Sequence, residues 1–301
     1  ICLCADEMCG IQPVCKRCKR RAAISGMADH LGNHRIIKRG DGITVRDTAV
    51  NAHARPGGTD MSDFETIRLN RGDDGIAWLT LARAQQHNAF NRMMIDEMTE
   101  AAGMLAADAT LRAVVLAAEG KSFSAGGDLR WMQKQAATDR AGKMAEARAL
   151  AHMLLALNNL PMPLIARVQG NAFGGGIGLM AVSDIVVAAD IASFSLTETR
   201  LGLIPATIGP FVMRRLGAAG TRQTFITGSP MGAMRAQRLG LVSVVVPADD
   251  LDTGILRELT AVRAAAPGAM RTAKAYALGQ LDQPDATGIE AAINVLADSW
   301  E

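Results

Sequence analysis

The stretch VQGNAFGGGIGLMAV, residues 168–182, passes from apolar residues through a glycine-rich turn at Gly174–Gly176 into a second apolar run broken only by Gly178. It predicts a strand, a turn and a helix. At a glycine-rich helix start the first backbone N–H groups point outward with the positive end of the helix dipole behind them. Without a Cβ, a ligand oxygen can approach that backbone closely. The stretch therefore predicts a seat for negative charge, the plain alternative being tight helix packing. A Walker A loop requires Lys-Ser/Thr after its last glycine, and none follows Gly178. A dinucleotide fingerprint requires a third glycine where Leu179 stands, and Asp184 is too close to serve as its ribose partner.

Outward from this stretch the chain reads as α/β. IAWLTL (76–81), RAVVLAA (112–118), PLIARVQG (163–170) and SDIVVAAD (183–190) read as strands, the second buried on both faces by its continuous apolar run. NRMMIDEMTEAAGMLAAD (91–108) reads as an amphipathic helix, with further helical patterns over 142–158, 212–217, 219–228 and from about residue 250 onward. Strands alternating with helices predict stacked βαβ-type units with right-handed crossovers.

A second turn has the same character. GKSFSAGGDLRWM (120–132) follows a buried strand and leads into a helix at Asp128, a residue placed to act as an N-terminal carboxylate. Gly126 and Gly127 expose backbone N–H groups there. Two such turns, each at the end of a parallel strand, can converge on one oxygen. That is an oxyanion hole made of main chain, suited to a carbonyl that becomes an enolate; losing one donor of this kind costs about 3–4 kcal/mol.

Bulk properties narrow the class. With 301 residues, 49% apolar and 21% charged, the chain is expected to be globular and can hold a large core. A net charge of +2 gives no general attraction to polyanions, and no run of about 18 apolar residues predicts a membrane span. A signal-peptide pattern is not seen, which makes a cytoplasmic location the expectation. All five cysteines (Cys2, Cys4, Cys9, Cys15, Cys18) lie in the first 18 residues, beside the basic cluster KRCKRR, and residues 1–60 hold ten Lys/Arg against six Asp/Glu. CKRC with Cys4 and Cys9 lacks the paired spacing of a zinc ribbon, so no metal is expected. Residues 1–60 are read as a poorly ordered extension, with Met61 a plausible start of the functional domain.

Four motifs in order, QHNAFNRMMIDEM, FSAGGDL, GNAFGGGIGL and FSLTETRLGLIP, resemble the crotonase (enoyl-CoA hydratase/isomerase) superfamily over residues 63–300. The resemblance implies a crotonase-like core of repeated ββα units over 61–255. It also implies a helical region over 256–301 used in trimerisation, as a homotrimer or a dimer of trimers. The implied substrate is an acyl-CoA thioester with no further cofactor. Gly127 and Gly175 would donate the two N–H groups to the thioester enolate. CoA would lie along His87, Asn88 and Ala89 and along Ser124, Ala125, Gly126 and Asp128, mainly through main chain.

Hydratases of the familiar type add two glutamates. The first falls on Gly178 and is missing; the second falls on Glu198. One carboxylate permits hydration, in which Glu198 activates a water and returns a proton to Cα, and also permits isomerisation, in which it moves a proton between Cα and Cγ. TRLGLIPATIGPFVMRRLG resembles the branched glutaconyl-CoA hydratases, whose bacterial members also carry glycine at the first position, and this favours hydration. Arg200 would then face a distal carboxylate of the substrate, the plain alternative being a surface arginine. A non-catalytic or RNA-binding role, drawn from KRCKRR, is the rival from another class.

Overall fold

The computed structural model describes residues 59–60, 63–280, 289–290, 293–294 and 297. The cysteines, the basic cluster and the zinc reading of the extension all lie outside the described residues. The strands are β1 (Thr59–Asp60), β2 (Ile67–Arg71), β3 (Ile76–Leu81), β4 (Ala113–Ala118), β5 (Leu164–Val168), β6 (Ala172–Phe173), β7 (Ile185–Ala189), β8 (Ser193–Ser195), β9 (Met231–Gly232) and β10 (Val244–Val246). The α-helices are α1 (Arg92–Ala107), α2 (Leu129–Ala136), α3 (Arg140–Asn158), α4 (Gly175–Val182), α5 (Gly209–Thr227), α6 (Ala233–Arg238), α7 (Leu251–Ala264) and α8 (Pro267–Gln280).

Seven strands form one sheet in the order β1-β2-β3-β4-β5-β7-β10, antiparallel up to β3 and parallel from β3 onward. A second, three-stranded sheet holds β6, β8 and β9. The parallel strands are apolar throughout because both faces are covered. In β4, Val114 and Leu116 join the larger core with α1 and α3, while Ala113 and Val115 face α7 through Ile255 and Leu259. Each large side chain buried this way contributes about 1.5–3 kcal/mol.

The helices begin and end where their sequences require. Asn91 caps α1 by accepting from Met94 N–H, and Asp139 caps α3 by accepting from Gly142 N–H. The two helices expected over 212–217 and 219–228 form one element, α5, broken at Gly217, whose φ of 64° and ψ of 176° leave the helical region. In the C-terminal region, Arg112 donates to the carbonyls of Val262, Arg263 and Ala265 at the end of α7. Ile289 and Ile293 pack on Ala147 and Ala151 of α3, beside a paired Arg148–Glu290 contact of 2.8 and 2.9 Å. Among the described residues no helix is long and apolar enough to cross a membrane.

Candidate active site

The two glycine turns are laced together by main chain. Phe123 and Ser124 N–H both donate to Asn171 O, and Phe173 N–H donates to Ser124 O at 2.9 Å. Gly126, with φ of 85°, approaches so closely that a Cβ on it would lie 3.0 Å from Phe173 O. Gly176 is pressed on Ser124, whose Cβ and carbonyl oxygen would each lie 2.9 Å from an added Cβ. Glycine is required at this crossing for the approach of the two backbones.

Phe90 joins both halves. Its N–H donates to Gly126 O and its carbonyl accepts from Asp128 N–H, bracketing Gly127 in a parallel bridge. Its ring lies under Gly175, where a Cβ would come within 2.6 Å of Cε2. Among the described residues neither the Gly127 N–H nor the Gly175 N–H has a hydrogen-bond partner, and Gly175 opens α4 with no side-chain cap at Gly174. These are the two N–H groups that the family resemblance implies as donors.

The flanking turn is built to hold this geometry. His87 and Asn88 take left-handed φ values of 52° and 53°. Asn88 is fully buried: its amide donates to Glu119 O and Ser122 O, and its oxygen accepts from Arg83 N–H. Ser124, also fully buried, donates to Asn88 O. The side chains of Asn88 and Ser124 thus support the turns and do not face a ligand. His87 is exposed, its Nδ1 3.1 Å from Ser122 Oγ, and its carbonyl accepts from Ala125 N–H. Asp128 caps α2, accepting from Arg130 and Trp131 N–H, and pairs with Arg83 at 3.1 Å. Burial alone would raise the Asp128 carboxyl, but Arg83 and the two helix N–H groups outweigh it and hold it below the usual carboxylate range.

A cleft of about 970 Å³ opens on the Gly127 side, with His87, Ala89, Ala125 and Asp128 in its wall. Arg83, Arg92, Arg130 and Lys134 also line it. Arg83 is paired with Asp128 and Arg92 with Asp96 and Glu146, whereas Arg130 and Lys134 form no ion pair among the described residues. Gly175 and Glu198 are not among the residues lining this cleft.

Glu198 starts a 3-10 turn, Glu198–Leu201, and its Oε1 lies 3.1 Å from where a Cβ on Gly174 would stand. Its Oε2 is buried with no hydrogen-bond partner among the described residues. Burial pushes its carboxyl up to about 7, opposed only by its own backbone N–H. A carboxyl of this kind exchanges a proton readily near neutral pH. Arg200 is exposed, with Nε 3.4 Å from Thr227 O at the end of α5. At Gly178 the place of a side chain is taken by Ile208 and Leu154.

Three residues central to this arrangement escaped the sequence reading. Phe90 and Ile208 look like ordinary core positions, and Arg83 like a surface charge. No local pattern marks them, because their contacts in the site lie 30 to 85 positions away along the chain.

The sequence profile of the Enoyl-CoA hydratase/isomerase family matches residues 71–300. A Mycobacterium tuberculosis protein called a probable enoyl-CoA hydratase is 36% identical over 212 residues, 70% of this chain and 80% of its own length. The trans-2-decenoyl-[acyl-carrier-protein] isomerase of Streptococcus mutans is 30% identical over 67% of this chain and 77% of its own. The crystal structure of an enoyl-CoA hydratase from Shewanella pealeana superimposes with a TM-score of 0.69 at 36% identity, covering 72% of this chain and 82% of that one.

Proposed function

The chain belongs to the enoyl-CoA hydratase/isomerase family and is an enzyme, and on that premise we propose that it hydrates a 2-enoyl-CoA through a thioester enolate. The observation that carries this reading is the Glu198 carboxyl, its Oε2 buried, raised to about 7 and standing over Gly174, next in sequence to the unpartnered Gly175 N–H. Gly127 and Gly175 N–H would receive the thioester oxygen as it becomes an oxyanion. Glu198 takes a proton from water as the water oxygen bonds to Cβ and the double-bond pair moves toward the thioester oxygen. It then returns that proton to Cα. The CoA portion would run along the cleft by His87, Ala89, Ala125, Gly126 and Asp128, its phosphates near Arg83, Arg92, Arg130 and Lys134. No cofactor beyond the substrate's own CoA enters this scheme.

The finer assignments belong to the same proposal. The acyl group is a branched glutaconyl chain, its distal carboxylate paired with Arg200. The protein acts as a homotrimer or dimer of trimers in the cytoplasm, without nucleic acid. Double-bond isomerisation is the second reading, and the filled space at Gly178 favours it, since a single carboxylate without a second water-holding group is sufficient for a proton shuttle. Assays on a panel of 2-enoyl-, 3-enoyl- and 3-methylglutaconyl-CoA esters, with Glu198→Gln as control, test both. Full activity of Glu198→Gln would refute this mechanism.

A further inference from the structure

Along α4, two successive turns face different chemistry. Over Gly174 stands the Glu198 carboxylate; over Gly178, joined to Gly174 by an N–H to carbonyl hydrogen bond of 3.3 Å, stands hydrocarbon. A Cβ on Gly178 would lie 2.9 Å from Ile208 Cγ2, 3.3 Å from Ile208 Cβ and 3.3 Å from Leu154 Cδ1. Glycine at 178 would by itself leave a hole one turn of α4 beyond Gly174. Ile208 and Leu154 are both buried, and they close it.

We propose that Ile208 is a specificity-determining residue, which by filling the space in front of Gly178 decides whether the site adds water or shifts a double bond. The inference rests on Glu198 as the proton carrier, which both readings of the proposed function share, and it weighs toward the second of them, isomerisation. A water placed among the methyl groups of Ile208 and Leu154 would have no hydrogen-bond partner there, and burying it would be unfavourable. Isomerisation has no such requirement. Glu198 takes a proton from Cα of a 3-enoyl thioester, and the electron pair moves toward the thioester oxygen. The same proton then goes to Cγ as the double bond settles between Cα and Cβ. Ile208 therefore opposes hydration and leaves the proton shuttle unaffected.

The test compares wild type with Ile208→Val, Ile208→Thr, Ile208→Ala and Glu198→Gln. Each is assayed for hydration of crotonyl-CoA and for isomerisation of 3-hexenoyl-CoA, the latter also in D2O. Val and Thr have nearly the same shape, so their difference isolates the hydroxyl from any effect on folding. Ile208→Thr and Ile208→Ala are expected to raise the ratio of hydration to isomerisation at least about tenfold, equivalent to a differential barrier of about 1.4 kcal/mol. Ile208→Val is expected to stay near wild type. Deuterium at Cγ of the isomerised product should be low in wild type and rise in the Thr and Ala variants, a readout that loss of stability alone would not move. An inactive Glu198→Gln together with Thr and Val variants alike in both ratio and deuterium content would overturn the role of Ile208 alone. An active Glu198→Gln would overturn the reading beneath it as well.

Discussion

Glu198 Oε1 and Gly174 meet at the head of α4, and the carboxylate takes the place where any other residue at 174 would put its Cβ, 3.1 Å away. Gly174 also has φ of 45° and ψ of −115°, a conformation that side chains resist. Gly174→Ala is expected to lose about 1–3 kcal/mol of stability by denaturant titration, and to lower kcat more than KM by displacing the carboxylate. A variant as stable and as active as wild type would separate the two groups.

Glu198 itself is expected to lower stability at alkaline pH. Its folded pKa, about 7, lies above the 4.5 of the free side chain, so the folded state holds the proton more tightly. Stability is therefore present below about pH 4.5, declines as pH rises through 7, and stays lower above it. Glu198→Gln, which resembles the protonated form, should unfold later than wild type at pH 8 by on the order of 3 kcal/mol, and at nearly the same point at pH 4. Equal gains at both pH values would show that burial does not set this carboxyl.

The same titration should govern the rate. Proton abstraction requires the carboxylate, so kcat/KM is expected to rise with pH and level off above an apparent pKa of about 7. A profile flat between pH 5 and 8 would exclude Glu198 as the proton acceptor.

Phe90 and Gly175 form a second dependence. Gly175→Ala would drive a methyl into the Phe90 ring, 2.6 Å from Cε2, and shift the N–H that opens α4. Misplacing one oxyanion donor is expected to lower kcat by about 10²–10³. The double variant Gly175→Ala/Phe90→Leu, which makes room, should recover part of that loss. No recovery in the double variant would place the cause elsewhere.

Arg200→Ala tests the distal carboxylate. The ratio of kcat/KM for 3-methylglutaconyl-CoA to that for crotonyl-CoA should fall at least about tenfold if a charge-assisted pair is lost. Among the described residues its guanidinium makes one hydrogen bond, a long and exposed one to Thr227 O at the end of α5, so little stability should change. An unchanged ratio would remove Arg200 from the site.

The parts of the fold legible in the sequence are those with one dominant local signal. Ala113–Ala118 is apolar at every position because both faces of β4 are covered, and Asn91 announces α1 by its cap. β2, Ile67–Arg71, gives no strand signal in the sequence because Arg68, Asn70 and Arg71 interrupt any apolar run. The two- and three-residue strands β6, β8 and β9 are too short to show a period. At the candidate site, the glycines and Glu198 stand out in the sequence by residue type and order. What lies against them does not: Ile208 reaches Gly178 across 30 residues, and Phe90 reaches Gly175 across 85. That the Asn88 side chain is fully buried scaffold is set by the left-handed turn around it, which its neighbours in sequence do not announce.

The lacing of the two glycine turns has a consequence for how this protein meets mutation. Its two candidate oxyanion donors belong to peptide groups, so replacing polar side chains one at a time with alanine would leave both in place. Such a survey would report Glu198 and pass over both donors. Vulnerability is concentrated instead in substitutions that add a single carbon, at Gly126, Gly174, Gly175 and Gly176, where the smallest gain in bulk pries the two turns apart or pushes a donor out of place.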